Sequence, residues 1–144
     1  MARTSLVSFR WGGMSGRTRS GSAAERDGRL RKARQFADVA AIVFDYRSDA
    51  PAEIGDVYVT LCVHAGIAAT DVICIDRLGR YSVGEDHVQA VALLEQASSK
   101  TAGSALRSLL QLKTKAGYSH SPVSRAEALK ASRALEVLLI EARA

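Results

Sequence analysis

The sequence predicts an all-α protein, an up-and-down bundle of four to five helices behind a disordered basic N-terminal arm. Three observations carry that prediction. Apolar residues recur at three- and four-residue spacing through most of the chain from Asp27 onward, Pro51, Gly79 and Gly117 stand at the edges of those segments, and the two β-like runs lie too close together for a parallel crossover. At 144 residues the chain fits one domain, assigned to 25–144, with the arm over 1–24.

The first helix is read from Asp27 to near Tyr46, where Leu30, Ala33, Phe36, Ala37, Ala40, Ala41, Val43 and Phe44 form one apolar stripe. Arg47 to Pro51 breaks it, and Pro51 suits the first turn of the next. Over 51–78 the reading needs care, because Val57–Val63 and Asp71–Ile75 are β-branched enough to pass for strands. Only His64 to Thr70 would join them, and a parallel crossover needs roughly a dozen residues. As one helix the segment aligns Ile54, Val57, Tyr58, Leu61, Ala65, Ala68, Val72 and Ile75, with Val59, Val63, Ile67 and Cys74 on its other sides. A helix apolar on most sides is buried on most sides, so this is the central helix, and Gly79 stops it. A loop over Ser82–Asp86 leads to a third helix at 85–97, then a fourth at 101–117 ended by Gly117. The Ser124–Glu127 capping box opens a fifth that runs nearly to the C-terminus.

Charge is distributed unevenly. Residues 1–34 hold nine Lys and Arg against two acids, whereas residues 35–144 are slightly acidic, so the basic character belongs to the arm and the start of the first helix. Such an arm contacts phosphates without reading sequence, with Arg17 and Arg19 as its RNA-binding residues; the other reading is a tail that serves solubility. Met14 is a second plausible translation start. No stretch is read as a membrane span and no signal core is found, which predicts a cytoplasmic protein with no membrane partner. Cys62 and Cys74 fall in one helix roughly 18 Å apart, beyond disulfide reach, and are expected to be small buried residues.

Residues able to carry chemistry are few. The segment Lys113–Ser124 gathers Lys113, Lys115, Tyr118 and His120 near a helix end, where Lys can neutralise a phosphate and His can move a proton; the alternative is a helix C-terminus with its customary bases and a polar turn. His64 reads as a hydrogen-bonded core residue and His87 as part of a helix start. No phosphate-binding loop, metal-ligand spacing or nucleophile elbow is found, so no metal and no cofactor is expected.

Two stretches resemble the HEPN superfamily of small helical domains. His64-Ala-Gly-Ile-Ala-Ala-Thr-Asp71-Val-Ile73 resembles its His-Ala-x-x-Ala-x-Glu/Asp segment, and Gly84-Glu-Asp-His87-Val-Gln-Ala-Val-Ala-Leu-Leu94 its short His-containing start of the next helix. The Lys-rich, Tyr-containing end of the fourth helix adds to the likeness. The resemblance implies a four-helix bundle that often dimerises and, in active members, a metal-independent ribonuclease whose signature is an Arg, four to six intervening residues and then a His. Here Lys113 stands in the place of that Arg and His120 in the place of the His. Lys keeps the charge but loses the planar fork that grips a phosphate through two bonds.

Two functions follow as expectations. In one, a HEPN-type, toxin-like RNA-binding protein or ribonuclease uses Lys113 and His120 as catalytic residues, with Tyr118 positioning RNA and Lys115 assisting its binding. The resemblance further implies control by a nucleotidyltransferase-type antitoxin in a two-gene system. In the other, the chain is a non-catalytic helical adaptor for a partner protein. The apolar circumference of the second helix exceeds what two or three neighbours can cover, which predicts a homodimer with two-fold symmetry.

Overall fold

The computed structural model describes residues 17–46 and 51–143. Residues 1–16, with Met14 and most of the expected arm, and the break at 47–50 lie outside the described residues. Five helices form the bundle: α1 (Ala23–Tyr46), α2 (Pro51–Leu78), α3 (His87–Ala97), α4 (Lys100–Tyr118) and α5 (Arg125–Arg143). A two-stranded antiparallel sheet joins them, β1 (Arg17–Ser20) with β2 (Arg80–Val83), in the register Arg17 with Val83 and Arg19 with Tyr81.

The sheet corrects the expected end of the arm and the expected loop. Arg17–Ala24 is not disordered, because its strand borrows backbone partners about sixty residues away, and α1 starts at Ala23, four residues before Asp27, with Ser22 as its cap. There the Ser22 hydroxyl accepts from the Glu25 amide (3.1 Å) while Glu25 Oε1 accepts from the Ser22 amide (3.0 Å), a reciprocal capping box. Between these two elements Gly21 donates to the Gly79 carbonyl at 3.0 Å, and a Cβ on Gly21 would stand 2.5 Å from Ile75 Cγ1, so only glycine lets the chain pass so close to α2.

The central position of α2 is as expected. It packs on α1, α4, α5, α3 and β2, and Val59, Cys62, Val63, Ala69, Val72 and Ile73 are all buried. Gly66 lets α4 approach, since a Cβ there would meet Leu109 Cδ1 at 2.4 Å. Within it, Ile54–Leu78 does have the length and hydropathy of a membrane span, contrary to the sequence reading, but most of that stretch is buried among the other helices. This burial also removes the expected reason for a dimer: the chain's own helices cover most of α2. The large apolar residues left exposed there lie instead at Val39 and Ile42 of α1, Val57 of α2 and Ile140 of α5.

Antiparallel α1 and α2 are held by a ladder of unlike contacts. Arg26 grips Asp76 through Nε (2.9 Å) and a second nitrogen (3.1 Å), Arg29 Nε meets Asp71 Oδ2 at 3.2 Å, the Phe36 and His64 rings stack at 5.3 Å, and Phe44 meets Tyr58 at 5.2 Å. A step of seven from Arg29 to Phe36 is matched by a step of seven down from Asp71 to His64, which keeps two turns of each helix in register. His64 is therefore an exposed residue stacked on a neighbour, not a core histidine.

Helix ends match the sequence in part. Gly79 takes a φ of +72° and terminates α2, and Gly84, at +90°, turns the chain from β2 toward α3. Gly117 does not end α4, which continues to Tyr118 and is capped by Ser119. At α5 the capping box is present: Ser124 Oγ accepts from the Glu127 amide (3.1 Å) and Glu127 Oε1 from the Ser124 amide (2.9 Å).

Candidate functional site

A cavity of ≈ 270 Å³ opens where β2, the turn after it, and helices α1 to α4 converge. Its deepest residues come from α2. Thr70 is 5% exposed and its hydroxyl has no hydrogen-bond partner among the described residues; Asp71 is 7% exposed and faces Arg29 of α1. Ile67, Ala90, Leu106 and Leu110 supply apolar wall, Lys113 of α4 is a half-buried part of the lining, and Glu85, Asp86 and His87, the first residue of α3, stand at the exposed edge.

Electrostatics single out Asp71. Burial pushes its carboxyl up to about 7, and the Arg29 charge offsets only part of that rise. Arg29 is itself braced, its guanidinium 5.9 Å from the centre of the Tyr81 ring, while the Tyr81 hydroxyl donates to Glu25 Oε2 at 3.1 Å. The turn places Asp86 at the start of α3, where its Oδ1 accepts from the Gln89 amide (3.0 Å). Burial also raises both thiols, Cys62 to about 11 and Cys74 to about 12, so neither is a nucleophile near neutral pH. No cluster of three metal-ligating side chains exists among the described residues.

Beside the cavity runs an open groove on α1 where Arg31, Lys32 and Arg34 outnumber the acids Glu25 and Asp38, sharing Arg29 and Tyr81 with the cavity itself. Residues directly opposite in an antiparallel pair project to the same face, so Arg17 and Arg19 share the sheet face of Val83 and Tyr81. The exposed arginines of β1 thus extend the cationic surface at the cavity edge.

The residues singled out by sequence do not form one site. Lys113 lines the cavity. Tyr118, 83% exposed, and His120, in the exposed turn after α4, do not. Lys115 is engaged with Glu127 at 2.9 Å, pinning the end of α4 to the start of α5, which with the Ser124 amide holds the Glu127 carboxyl down to about 2. Arg29, Thr70, Tyr81 and His87 had no site role in the sequence; the readable signal was the Thr70-Asp71 pair between the apolar runs Ala65–Ala69 and Val72–Ile75. No family model matches the chain, and neither a curated protein nor a solved structure does.

Proposed function

We propose that this chain is a cytoplasmic RNA-binding protein of the HEPN type, with the strand backbone tracking the cationic face of α1 and β1 and one nucleotide entering the cavity. The observation that carries this reading is the continuity of the two: Arg29 and Tyr81 border both groove and cavity, and Lys113 adds a cation to the cavity lining. The His-Ala-x-x-Ala and Gly-Glu-Asp-His stretches that resemble the superfamily supply Thr70, Asp71 and His87 of the same cavity. If the protein cleaves RNA, Lys113 neutralises the phosphate and His87, which shares the cavity with it, moves the proton in place of His120. A homodimer through Val39, Ile42 and Ile140, and a nucleotidyltransferase-type antitoxin, belong to this proposal.

The test is binding of a fluorescent single-stranded RNA at several salt concentrations. Affinity is expected to fall linearly on a log–log plot with a slope of about −0.7 per phosphate neutralised, and the triple variant Arg31→Glu, Lys32→Glu, Arg34→Glu is expected to abolish binding with its fold intact. A salt-independent interaction, or one that survives the triple reversal, overturns the reading.

One observation favours the adaptor reading. A second cavity of ≈ 400 Å³ between α3 and α4 is lined by Val88, Val91, Ala92 and Leu110, and Val88 is 81% exposed. Partner capture that is lost in Val88→Asp while RNA binding is absent from the wild type would put this reading first.

A further inference from the structure

Polarity in the α2 cavity is arranged by depth. Thr70 and Asp71 are buried in its wall with Cys74 and Leu106, Arg29 and Lys113 are half-buried, and the exposed rim carries Gly84, Glu85, Asp86 and His87. Arg29 approaches only Oδ2 of Asp71, and Oδ1 receives no hydrogen bond from the described residues. Thr70 Oγ1 is likewise without a partner, although an interior hydroxyl ordinarily finds one. Two hydrogen-bonding residues adjacent in sequence and without a protein partner, in a cavity walled in part by Ile67, Ala90, Leu106 and Leu110, call for a ligand with a polar edge and an apolar face. The volume of ≈ 270 Å³ is below the roughly 300–1,000 Å³ of sites for drug-sized molecules, so one ring system is the fitting size.

We propose that this cavity receives one base of a single-stranded RNA and selects bases that carry an exocyclic amino group. The inference deepens the RNA-binding reading and rests on it. The amino group of adenine, cytosine or guanine donates to Asp71 Oδ1. The neighbouring ring nitrogen meets Thr70 Oγ1, which can donate to the acceptor of adenine or cytosine and accept from the N–H of guanine. Uracil presents a carbonyl oxygen where the amino group would stand, and two acceptors then oppose each other. The aliphatic walls cover the faces of the ring, and Lys113 meets the phosphate at the mouth. Because the carboxylate is the accepting form, selection strengthens as pH rises through about 7, the value to which burial brings Asp71.

The experiment measures anisotropy of labelled A8, C8 and U8 oligonucleotides with the full chain at pH 8 and at pH 6. At pH 8, A8 and C8 are expected to bind at least about tenfold more tightly than U8, with the ratio shrinking at pH 6. Asp71→Asn, which keeps the side-chain volume, is expected to bring the ratio close to one, and Thr70→Val to weaken A8 and C8 while leaving U8 unchanged. Ala90→Phe, on the half-buried wall, blocks the slot without touching either polar group and is expected to remove the preference too. Equal binding of all three oligonucleotides by the wild type, or a preference that survives both Asp71→Asn and Ala90→Phe, overturns base selection and leaves the RNA-binding reading standing. Absence of binding to all three at low salt overturns both.

Discussion

Lys113 and Lys115 are two residues apart on α4, and the structure gives them opposite employment. Two positions along a helix turn the side chain by about 200°, so one lysine faces the cavity bordered by β2 and α3 and the other faces α5. Lys115 is engaged by a carboxylate that is also part of a capping box, and its charge serves the α4–α5 corner. Lys113 forms no ion pair among the described residues and lines the cavity that also holds Asp71 and Thr70. The difference teaches that a run of basic residues at a helix end is not one site: helical periodicity divides it between architecture and a cavity.

The largest expected effect breaks the cavity side of this comparison. Arg29→Met leaves Asp71 buried without its counter-charge; a fully buried pair broken in this way costs roughly 3–5 kcal/mol. Arg29 is 40% exposed, which lowers the expected loss to about 1–3 kcal/mol by denaturant unfolding at pH 8. The same carboxyl gives a signed pH dependence. Its folded value is raised above the ordinary 3.8 to about 7, so the folded state binds the extra proton between these values and stability falls as pH rises from about 4 to about 7. Asp71→Asn removes that fall, and the variant gains on the wild type across the same window.

At the α4–α5 corner the effects are smaller and opposite in sign with pH. Ser124→Ala removes half of the capping box and is expected to cost about 1 kcal/mol. Because Glu127 is held down to about 2, the stability it contributes is complete above about pH 4.5 and lost as pH falls toward 2. Glu127→Gln flattens that acid limb of the unfolding curve. Smallest of all, Tyr118→Ala and His120→Ala change stability by less than about 0.5 kcal/mol, as is usual at exposed positions, and leave RNA affinity unchanged.

The helices were legible because each signal is local. The stripe of α1, the all-round apolarity of α2, Gly79 as its stop and the Ser124–Glu127 box are each contained within one element, and all four are present. The strand over Arg17–Ser20 was not legible, since four exposed polar residues acquire their conformation from Arg80–Val83 across the chain. Yet Ser22-Ala-Ala-Glu25 carried the same capping signature as Ser124–Glu127 and could have placed the start of α1 correctly. The cavity was half legible. Lys113 and the Thr70-Asp71 pair of the HEPN-like stretch were in view, but Arg29, Tyr81 and His87 join them only through tertiary packing, which no sequence spacing announces.

The proposal that the cavity-facing side of α4, and not its terminal turn, meets RNA is checked by comparing Lys113→Ala with Lys115→Ala in RNA-binding titrations at several salt concentrations, each variant first checked for a cooperative melt. Lys113→Ala is expected to weaken binding several-fold and to reduce the steepness of the salt dependence by about 0.7, while Lys115→Ala is expected to bind as the wild type does and to lose only stability. Equal losses for both lysines, or a loss confined to Lys115→Ala, would contradict it.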